Sequence, residues 1–377
     1  MPKTLPTPAA PPQKSTSYEP ALDIIRFFAF FAVFFTHFVN AGGNAIQVDS
    51  DQWWNTDFIQ GIAAFGGQGV TLFFGLTGFL LGRILIKEFQ IKGKVSIRMF
   101  YIRRVLRIWP LYFGFLILCV FLNRFANSPT ITPQEIPYLL TFTYNWGQIY
   151  GGLPGTMATI TWSISVEEQI YLIFPILFLL LVKKNARNLS ILLMILGAFS
   201  VFLSLYPLDI SAERFTPAFL LPVGVGLFSA VYEDKIRNAK TSKVSTSLVL
   251  VTLLAYIWIF HVMVSIQELR FFSYVASASV LPCALYITRG IQHDSLSILS
   301  RLLAYVGRRS YGCYLFHWSV WTVMVGKGFG FETTEGFSIP GVLIGMLATV
   351  LISSLSYRFF ELPFLRLRKR FQQVESP

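Results

Sequence analysis

Residues 21–38 read ALDIIRFFAFFAVFFTHF, and this run decides the class of the protein. A helix that crosses roughly 30 Å of hydrocarbon needs about 17–25 mainly apolar residues, and this run has that length. It also contains Arg26 and His37, whereas a cleaved signal peptide has a short apolar region without such groups. We therefore predict a retained membrane-spanning helix that carries two ionisable side chains.

The remainder of the chain has the composition of a membrane protein. Of its 377 residues, 54% are hydrophobic, 13% are charged and 37 are Phe. One soluble core cannot enclose so much apolar surface, whereas lipid can surround the outer faces of a helix bundle. We predict an all-α, polytopic integral membrane protein with about ten transmembrane helices. The predicted spans are 24–40, 68–86, 109–123, 160–182, 188–206, 213–232, 245–263, 270–288, 302–326 and 338–360.

Lys and Arg are distributed unevenly between the two sides of this predicted topology. If the N-terminus is cytoplasmic, the outer segments hold few of the 31 basic residues, namely Arg124, Arg214, Arg270 and Lys327. The positive-inside rule predicts such a bias, and one missed span would invert it. We therefore predict that both termini are cytoplasmic. The net charge of +12 then reflects orientation and anionic lipid headgroups, and we expect no nucleic-acid partner.

The predicted organisation is one membrane domain between two tails. Residues 1–20 are rich in proline and are predicted to be a disordered cytoplasmic tail. Residues 21–363 form the predicted transmembrane domain, and 364–377 form a basic cytoplasmic tail. The 3 cysteines lie at irregular positions in apolar runs, and the 4 histidines lack metal-ligand spacing, so we expect neither disulfides nor a metal site.

Arg26 and His37 are the first candidates for chemistry. They are eleven residues apart, so on a helix they return to within about 20° of one face, about 16 Å apart along the axis. Ionisable residues inside a membrane usually face a polar cavity or a partner. The alternative is that Arg26 snorkels to the cytoplasmic edge and that His37 only hydrogen-bonds between helices.

Three arginines lie just before the predicted third span, at Arg103, Arg104 and Arg107. Their planar guanidinium groups suit phosphate, and Arg103 and Arg107 are predicted to share a helix face. Anchoring by the positive-inside rule explains the charge equally well. It does not by itself predict three arginines and no lysine in this stretch.

Glu167 follows Ser163 by four residues, so the two are predicted to share one face of the fourth span. This carboxylate could orient His37 or take part in proton transfer, and it could equally be an interfacial group paired with an arginine. Trp162 could be a residue of the interfacial aromatic belt. Tyr314 and His317 on the ninth span form a polar pair that more often holds helices together.

These residues belong to a longer series that resembles the acyltransferase 3 family of membrane O-acyltransferases. The series begins with Leu22-Asp23, followed by Arg26 and then His37, which resembles the first segment of the family. Further similar segments follow in the same order: GVTLFFGLTGFLLGRIL at 69–85, FYIRRVLRIWPLYF at 100–113, TWSISVEEQIYLIFP at 161–175, SYGCYLFH at 310–317 and ELP at 361–363. Thr77 stands where Ser is usual, and Glu168 stands where an aromatic residue is common. The resemblance covers nearly the whole chain.

The resemblance implies an inner-membrane enzyme. It would move an acyl group, which we expect to be acetyl, from acyl-CoA to a hydroxyl of a sugar or cell-surface glycan. Acyl-CoA is then a co-substrate, and we expect no permanently bound cofactor. The expected partners are membrane lipids, acyl-CoA, the glycan acceptor and proteins of polysaccharide synthesis.

The resemblance and the chemistry of the residues together predict a site. His37 occupies the family position thought essential for transfer, and an imidazole is a suitable base near neutral pH. We predict that His37 and Glu167 are catalytic. The predicted acyl-donor site is Arg26, Arg103, Arg104 and Arg107, and the predicted supporting residues are Asp23, Trp162, Ser163, Tyr314, His317 and Glu361.

Two other functions fit a bundle of helices with intramembrane charges. A transporter or exporter of a glycan or acyl group needs no transfer chemistry, but its usual inverted repeat with broken helices is not visible in the sequence. A structural partner of a polysaccharide synthase would not bind acyl-CoA. The Arg26 and His37 pair favours the enzyme.

Overall fold

The computed structural model describes residues 19–40, 66–123, 130–182, 185–239, 243–265, 267–289, 291, 296–326 and 339–371. Every regular element within these ranges is a helix, so the predicted all-α class is confirmed. Of the two predicted tails, residues 1–18 and 372–377 lie outside the described residues. The number of spans predicted from the sequence and the orientation of the termini stay predictions.

The described residues form a series of helices along the chain. In order they are α1 (Pro20–Asn40), α2 (Gln68–Lys92), α3 (Ile97–Leu122), α4 (Ile136–Leu140), α5 (Tyr144–Tyr150), a 3₁₀ turn (Met157–Thr161), α6 (Trp162–Val182), α7 (Ala186–Leu205), a 3₁₀ turn (Thr216–Phe219), α8 (Leu220–Val231), α9 (Glu233–Arg237), α10 (Lys243–Ser265), α11 (Gln267–Ala278), α12 (Val280–Thr288), α13 (Ile298–Arg308), α14 (Ser310–Gly326), α15 (Ile339–Ser356), a π turn (Tyr357–Glu361) and α16 (Leu362–Lys369). Within the described residues, 7 helical segments are long and apolar enough to cross a membrane. They are α1, α2, α3, α6 with its preceding turn, α7, α11 with α12, and α15 with α16.

The predicted third and ninth spans are among those whose boundaries differ in the structure. The third, predicted at 109–123, is α3 and begins at Ile97, because the hydroxyl of Ser96 caps the helix by accepting from the backbone nitrogen of Met99 at 3.5 Å. The arginine-rich block is therefore part of a long helix and does not precede it. The predicted span 302–326 is divided into α13 and α14 at Arg309. Here α13 turns to pack on α1, and a Cβ on Gly307 would lie 1.7 Å from the carbonyl oxygen of Asp23.

Helices α2 and α8 pack closely because both have glycine at the contact. A Cβ on Gly78 would lie 2.1 Å from the carbonyl oxygen of Val223, and one on Gly226 would lie 2.0 Å from the carbonyl oxygen of Gly75. Lipid is as apolar as leucine, so van der Waals contact rather than exclusion from water holds such helices together. Small residues at the contact allow the close approach that this packing needs.

Helix α1 is enclosed by α2, α13 and α14. Phe30 and Phe34 are fully buried, whereas Phe28 on another face is 53% exposed. Arg26 and His37 lie on a face that points into the bundle, where both side chains line cavities. The first helix therefore presents its two ionisable residues to the protein interior rather than to lipid.

An ionic cluster fixes the start of α1. Glu19 accepts hydrogen bonds from Arg83 at 2.5 Å and from Arg237 at 2.6 Å, and Arg83 also pairs with Glu233 at 3.2 Å. Burial raises the pKa of Glu19, but its bonds and charge interactions with Arg83 and Arg237 outweigh burial and hold the pKa below its usual value. The cluster ties the start of α1 to α2 and α9.

The connection between α3 and α6 is organised by Glu135, which is fully buried. Its carboxylate accepts hydrogen bonds from the backbone nitrogen of Thr132 at 2.7 Å, from the hydroxyl of Tyr144 and from the hydroxyl of Thr156 at 2.6 Å. The carbonyl of Thr156 in turn accepts from the indole of Trp318 at 3.3 Å. Glu135 therefore holds this connection against α14.

Candidate active site

Two cavities lie along the inward face of α1. We call the one of about 110 Å³ the arginine cavity, since it is lined by Arg26, Arg104 and Arg107. We call the one of about 310 Å³ the histidine cavity, since it is lined by His37. Val70 and Tyr314 line both. The two cavities therefore meet at this pair of side chains.

Arg26 is held in place by a carboxylate from its own helix. Its guanidinium donates to Asp23 at 2.5 Å, and Asp23 is 3% exposed. The second oxygen of Asp23 lies 3.6 Å from Arg308 of α13. Asp23, a predicted supporting residue, thus links Arg26 to α13 and orients the guanidinium at the cavity wall.

Helix α3 turns Arg104 and Arg107 to the arginine cavity. The guanidinium of Arg104 lies over the ring of Tyr171 at 4.9 Å from its centre. Arg103 points elsewhere, pairing with Glu88 at 3.5 Å and donating to the carbonyl of Phe371 at 3.0 Å. Arg104 and Arg107 are therefore the two arginines of this block that line the cavity, because the rotation of α3 turns Arg103 away from it. That all three bind the acyl donor stays a prediction.

Glu167 and Ser163 both line the arginine cavity, in agreement with their helical spacing. Glu167 accepts hydrogen bonds from the hydroxyls of Thr77 at 3.2 Å and of Tyr171. These described hydrogen bonds join Glu167 to residues other than His37, and its catalytic role stays a prediction. Its position among the guanidinium groups makes it a residue of the arginine cavity.

His37 pairs with His317, which lies 280 residues further along the chain. Nδ1 of His37 is 2.8 Å from Nε2 of His317, and the rings are nearly coplanar, with 15° between their planes and centres 5.0 Å apart. His317 is fully buried, and its Nδ1 lies 2.6 Å from the carbonyl oxygen of Tyr314. The sequence predicted a supporting role for His317, with helix packing as the alternative, and the structure makes it the direct partner of His37.

These partners assign the tautomers of both histidines. A carbonyl oxygen can only accept, so Nδ1 of His317 carries a proton and donates it to Tyr314. In a neutral imidazole the other nitrogen is then an acceptor, so Nδ1 of His37 donates to Nε2 of His317. Nε2 of His37 is left with a free lone pair. His37 is thereby prepared to take a proton through Nε2.

Tyr314 connects this pair to the wall between the cavities. Its hydroxyl accepts from Ser163 at 2.7 Å and donates to the carbonyl of Ile160 at 3.2 Å. Its own carbonyl holds His317. The same residue therefore separates the two cavities with its ring and sets the orientation of the histidine pair with its backbone.

Of the remaining predicted supporting residues, Trp162 lines a cavity and Glu361 does not. Trp162 lines the histidine cavity, with Phe219 beside it at 6.0 Å between ring centres. Glu361, in the π turn, accepts from the hydroxyl of Ser356 at 3.4 Å, while the nearby Arg358 lies over the ring of Phe359. Glu361 does not line either cavity, so its position suits a structural role at the end of α15.

Sequence reasoning missed several polar residues of the histidine cavity, among them Gln68, Glu213 and Arg214. Gln68 lines it and is 6% exposed, and its side-chain oxygen accepts from the hydroxyl of Thr71 at 2.9 Å. The available signal was a polar residue among glycines, GGQG at 66–69, directly before an apolar run. In the described part of the chain, no three His, Cys, Asp or Glu residues form a group that could hold a metal ion.

Comparison with known proteins adds a family and several relatives. A family model described as an acyltransferase domain matches residues 19–358. A peptidoglycan O-acetyltransferase of Listeria monocytogenes is 26% identical over 377 residues, which cover 93% of this chain and 56% of the relative. A putative peptidoglycan O-acetyltransferase of Bacillus subtilis is 25% identical, covering 92% of this chain and 55% of the relative.

A putative O-acetyltransferase of Staphylococcus aureus is 23% identical, covering 93% of this chain and 58% of the relative. This chain spans a little over half the length of these curated relatives. No solved structure matches the chain.

Proposed function

The chain belongs to the acyltransferase 3 family, and from this premise we propose that it is a membrane O-acyltransferase. It moves an acetyl group from acetyl-CoA to a hydroxyl of a glycan. Relatives named as peptidoglycan O-acetyltransferases favour a cell-envelope glycan as the acceptor. The observation that carries the proposal is the joining of an arginine-lined cavity to a cavity with a paired histidine base at Val70 and Tyr314.

The arginine cavity suits the phosphates of CoA. Its three guanidinium groups outnumber its one carboxylate, Glu167, so the cavity attracts a polyanion. Arginine binds phosphate through two parallel hydrogen bonds, which also orient the ligand. The donor would enter from the cytoplasmic side, where acyl-CoA is made, and the protein would lie in the plasma membrane with the start of α1 at the inner surface.

The separation of the two cavities matches the reach of the donor. Arg26 and His37 are about 16 Å apart along α1. The arm of CoA between its diphosphate and its sulfur has about thirteen bonds, as many as in about four residues, and spans roughly 15 Å when extended. With its phosphates at the arginines, the donor would present its thioester beside His37.

Transfer then needs one base and one electrophile. Nε2 of His37 takes the proton of the glycan hydroxyl as the hydroxyl oxygen attacks the thioester carbon. The tetrahedral intermediate collapses, the carbon–sulfur bond breaks, and the thiolate of CoA takes the proton from His37. His317 stabilises the imidazolium by accepting from its Nδ1–H, so it acts on the reaction through His37.

The test uses purified protein in lipid nanodiscs with acetyl-CoA labelled in the acetyl group. We expect His37→Ala to reduce acetyl transfer about 10²–10⁴-fold, the usual contribution of a positioned base, while acetyl-CoA still binds. Phe28→Ala is the matched control, because Phe28 lies on the same helix and is 53% exposed. Wild-type transfer rates in a folded His37→Ala protein would overturn the proposal.

A further inference from the structure

Gln68 is the buried polar group that the proposed mechanism leaves without a role. It begins α2, is 6% exposed and lines the histidine cavity. Its side-chain oxygen is engaged by Thr71 at 2.9 Å, which fixes the amide so that its nitrogen is the free end. Within the described part of the chain, no acceptor contacts that nitrogen. Because Gln68 lines the cavity, that nitrogen is placed to donate to a ligand bound there.

The start of α2 lies directly against the part of α1 that carries His37. A Cβ on Gly69 would lie 2.3 Å from the carbonyl oxygen of Ala29, and one on Gly66 would lie 3.0 Å from Cβ of Thr36. Thr36 precedes His37 in the chain, and both line the same cavity as Gln68. Backbone contact at glycine therefore holds the amide and the imidazole on two adjoining walls of one cavity.

We infer that Gln68 is a further catalytic residue, whose amide N–H groups bind the oxyanion formed during acetyl transfer. The inference rests on the proposed function. As the glycan oxygen bonds to the thioester carbon, the carbonyl π electrons move to its oxygen, which becomes an oxyanion. The amide of Gln68 donates to that oxygen until the carbonyl re-forms and the CoA thiolate leaves.

The chemistry of the cavity supports this assignment over a purely structural one. The oxyanion needs a hydrogen-bond donor, and an amide N–H provides one, while an ionised carboxylate can only accept. Thr71 holds the amide oxygen, so the donor is oriented before the substrate arrives. A fixed donor in a water-poor site stabilises developing charge more than the same donor in water.

The experiment compares Gln68→Glu with wild type in nanodiscs. Glu keeps the size of Gln and an acceptor for Thr71, but it replaces the two N–H donors. CoA release is measured with a thiol reagent, once with water as the acceptor and once with a tetramer of N-acetylglucosamine. Gln90→Glu is the matched control, since it makes the same change at an exposed position of α2.

We expect the maximal rate of CoA release by Gln68→Glu to fall about 10²–10³-fold with either acceptor, the usual loss when one oxyanion donor is removed. The KM for acetyl-CoA should stay within about twofold, because Gln68 binds the oxyanion of the intermediate and not acetyl-CoA in its ground state. Gln68→Met, which is also of similar size but has no charge, should lose activity as well. This second variant separates loss of the donors from repulsion by a carboxylate.

Two results would overturn the inference. One is full activity of Gln68→Glu and Gln68→Met. The other is a raised KM for the sugar tetramer with unchanged CoA release to water, which would make Gln68 a binding group for the acceptor. Failure of the proposed function is seen separately, as CoA release by the wild type that does not depend on His37.

Discussion

The arginine cavity and the histidine cavity lie on one face of one helix, yet they differ in charge. Around the first, Arg26, Arg104 and Arg107 outnumber Glu167. The second is lined by His37 and Gln68, which are neutral and hydrogen-bonded, and by one carboxylate and one guanidinium, Glu213 and Arg214, so it has no such excess of positive charge. Binding a polyanion requires excess positive charge, whereas accepting a proton requires an uncharged base. The fold therefore separates the proposed binding of the polyanion from the proposed proton transfer by about three turns of α1.

The boundary between the cavities is as informative as their contents. Tyr314 lines both, and its hydroxyl is tied to Ser163 while its carbonyl holds His317. A donor that extends from one cavity to the other must pass this residue. The division therefore predicts that changes on either side of Tyr314 affect different kinetic constants.

Among the variants that test this division between the cavities, the largest effect is expected at His317. His317→Leu removes the acceptor for Nδ1 of His37 and should lower kcat about 10²–10³-fold, with the KM for acetyl-CoA unchanged. His317→Gln should recover part of this loss, because its side-chain oxygen can accept from His37. Steady-state kinetics of both variants give the measurement. Val323→Ala at an exposed position of α14 is the control, and equal activity of the Leu and Gln variants would contradict a positioning role.

A smaller effect, on the KM for acetyl-CoA rather than on kcat, is expected from substitutions in the arginine cavity. Arg104→Gln or Arg107→Gln should raise the KM for acetyl-CoA about 10–100-fold, since a hydrogen bond to a charged group contributes about 1.5–3 kcal/mol. The KM for S-acetylpantetheine, a donor without phosphates, should not change in either variant.

The controls for this prediction lie on the same helix. Arg98 is exposed and Arg103 pairs with Glu88, so Arg98→Gln and Arg103→Gln should leave the KM for acetyl-CoA within about threefold. Equal losses with both donors, or an Arg103→Gln protein as impaired as Arg104→Gln, would break the proposed separation of binding from chemistry.

The smallest effect on catalysis, although not on stability, is expected at Glu135. Glu135→Ala leaves the buried donors of Tyr144 and Thr156 without their acceptor and should lower the free energy of unfolding by about 2–4 kcal/mol. Thermal unfolding should shift down by several degrees, while the KM for acetyl-CoA stays unchanged. Gln134→Ala at the neighbouring exposed position is the control. A Glu135→Ala protein as stable as the control would show that Glu135 does not organise this connection.

Features that depend on one helix alone could be predicted from the sequence. The helical class follows from long apolar runs. The spacing of Arg26 and His37 is close to a whole number of turns, so both line cavities on the inward face of α1. The same reasoning placed Ser163 and Glu167 on one face of α6. Periodicity sufficed here because the rise and rotation of a helix are independent of its neighbours.

Features that depend on how helices pack against one another came only from the tertiary structure. The choice of Arg104 over Arg103 depends on the rotation of α3, which its neighbours determine. The pairing of His37 with His317 joins residues far apart in sequence, which no local pattern encodes. Gln68 became a candidate only when its amide was found beside a cavity. The physical reason is that a helix sets the angles between its own side chains, whereas contacts between helices set which of those angles points at the substrate.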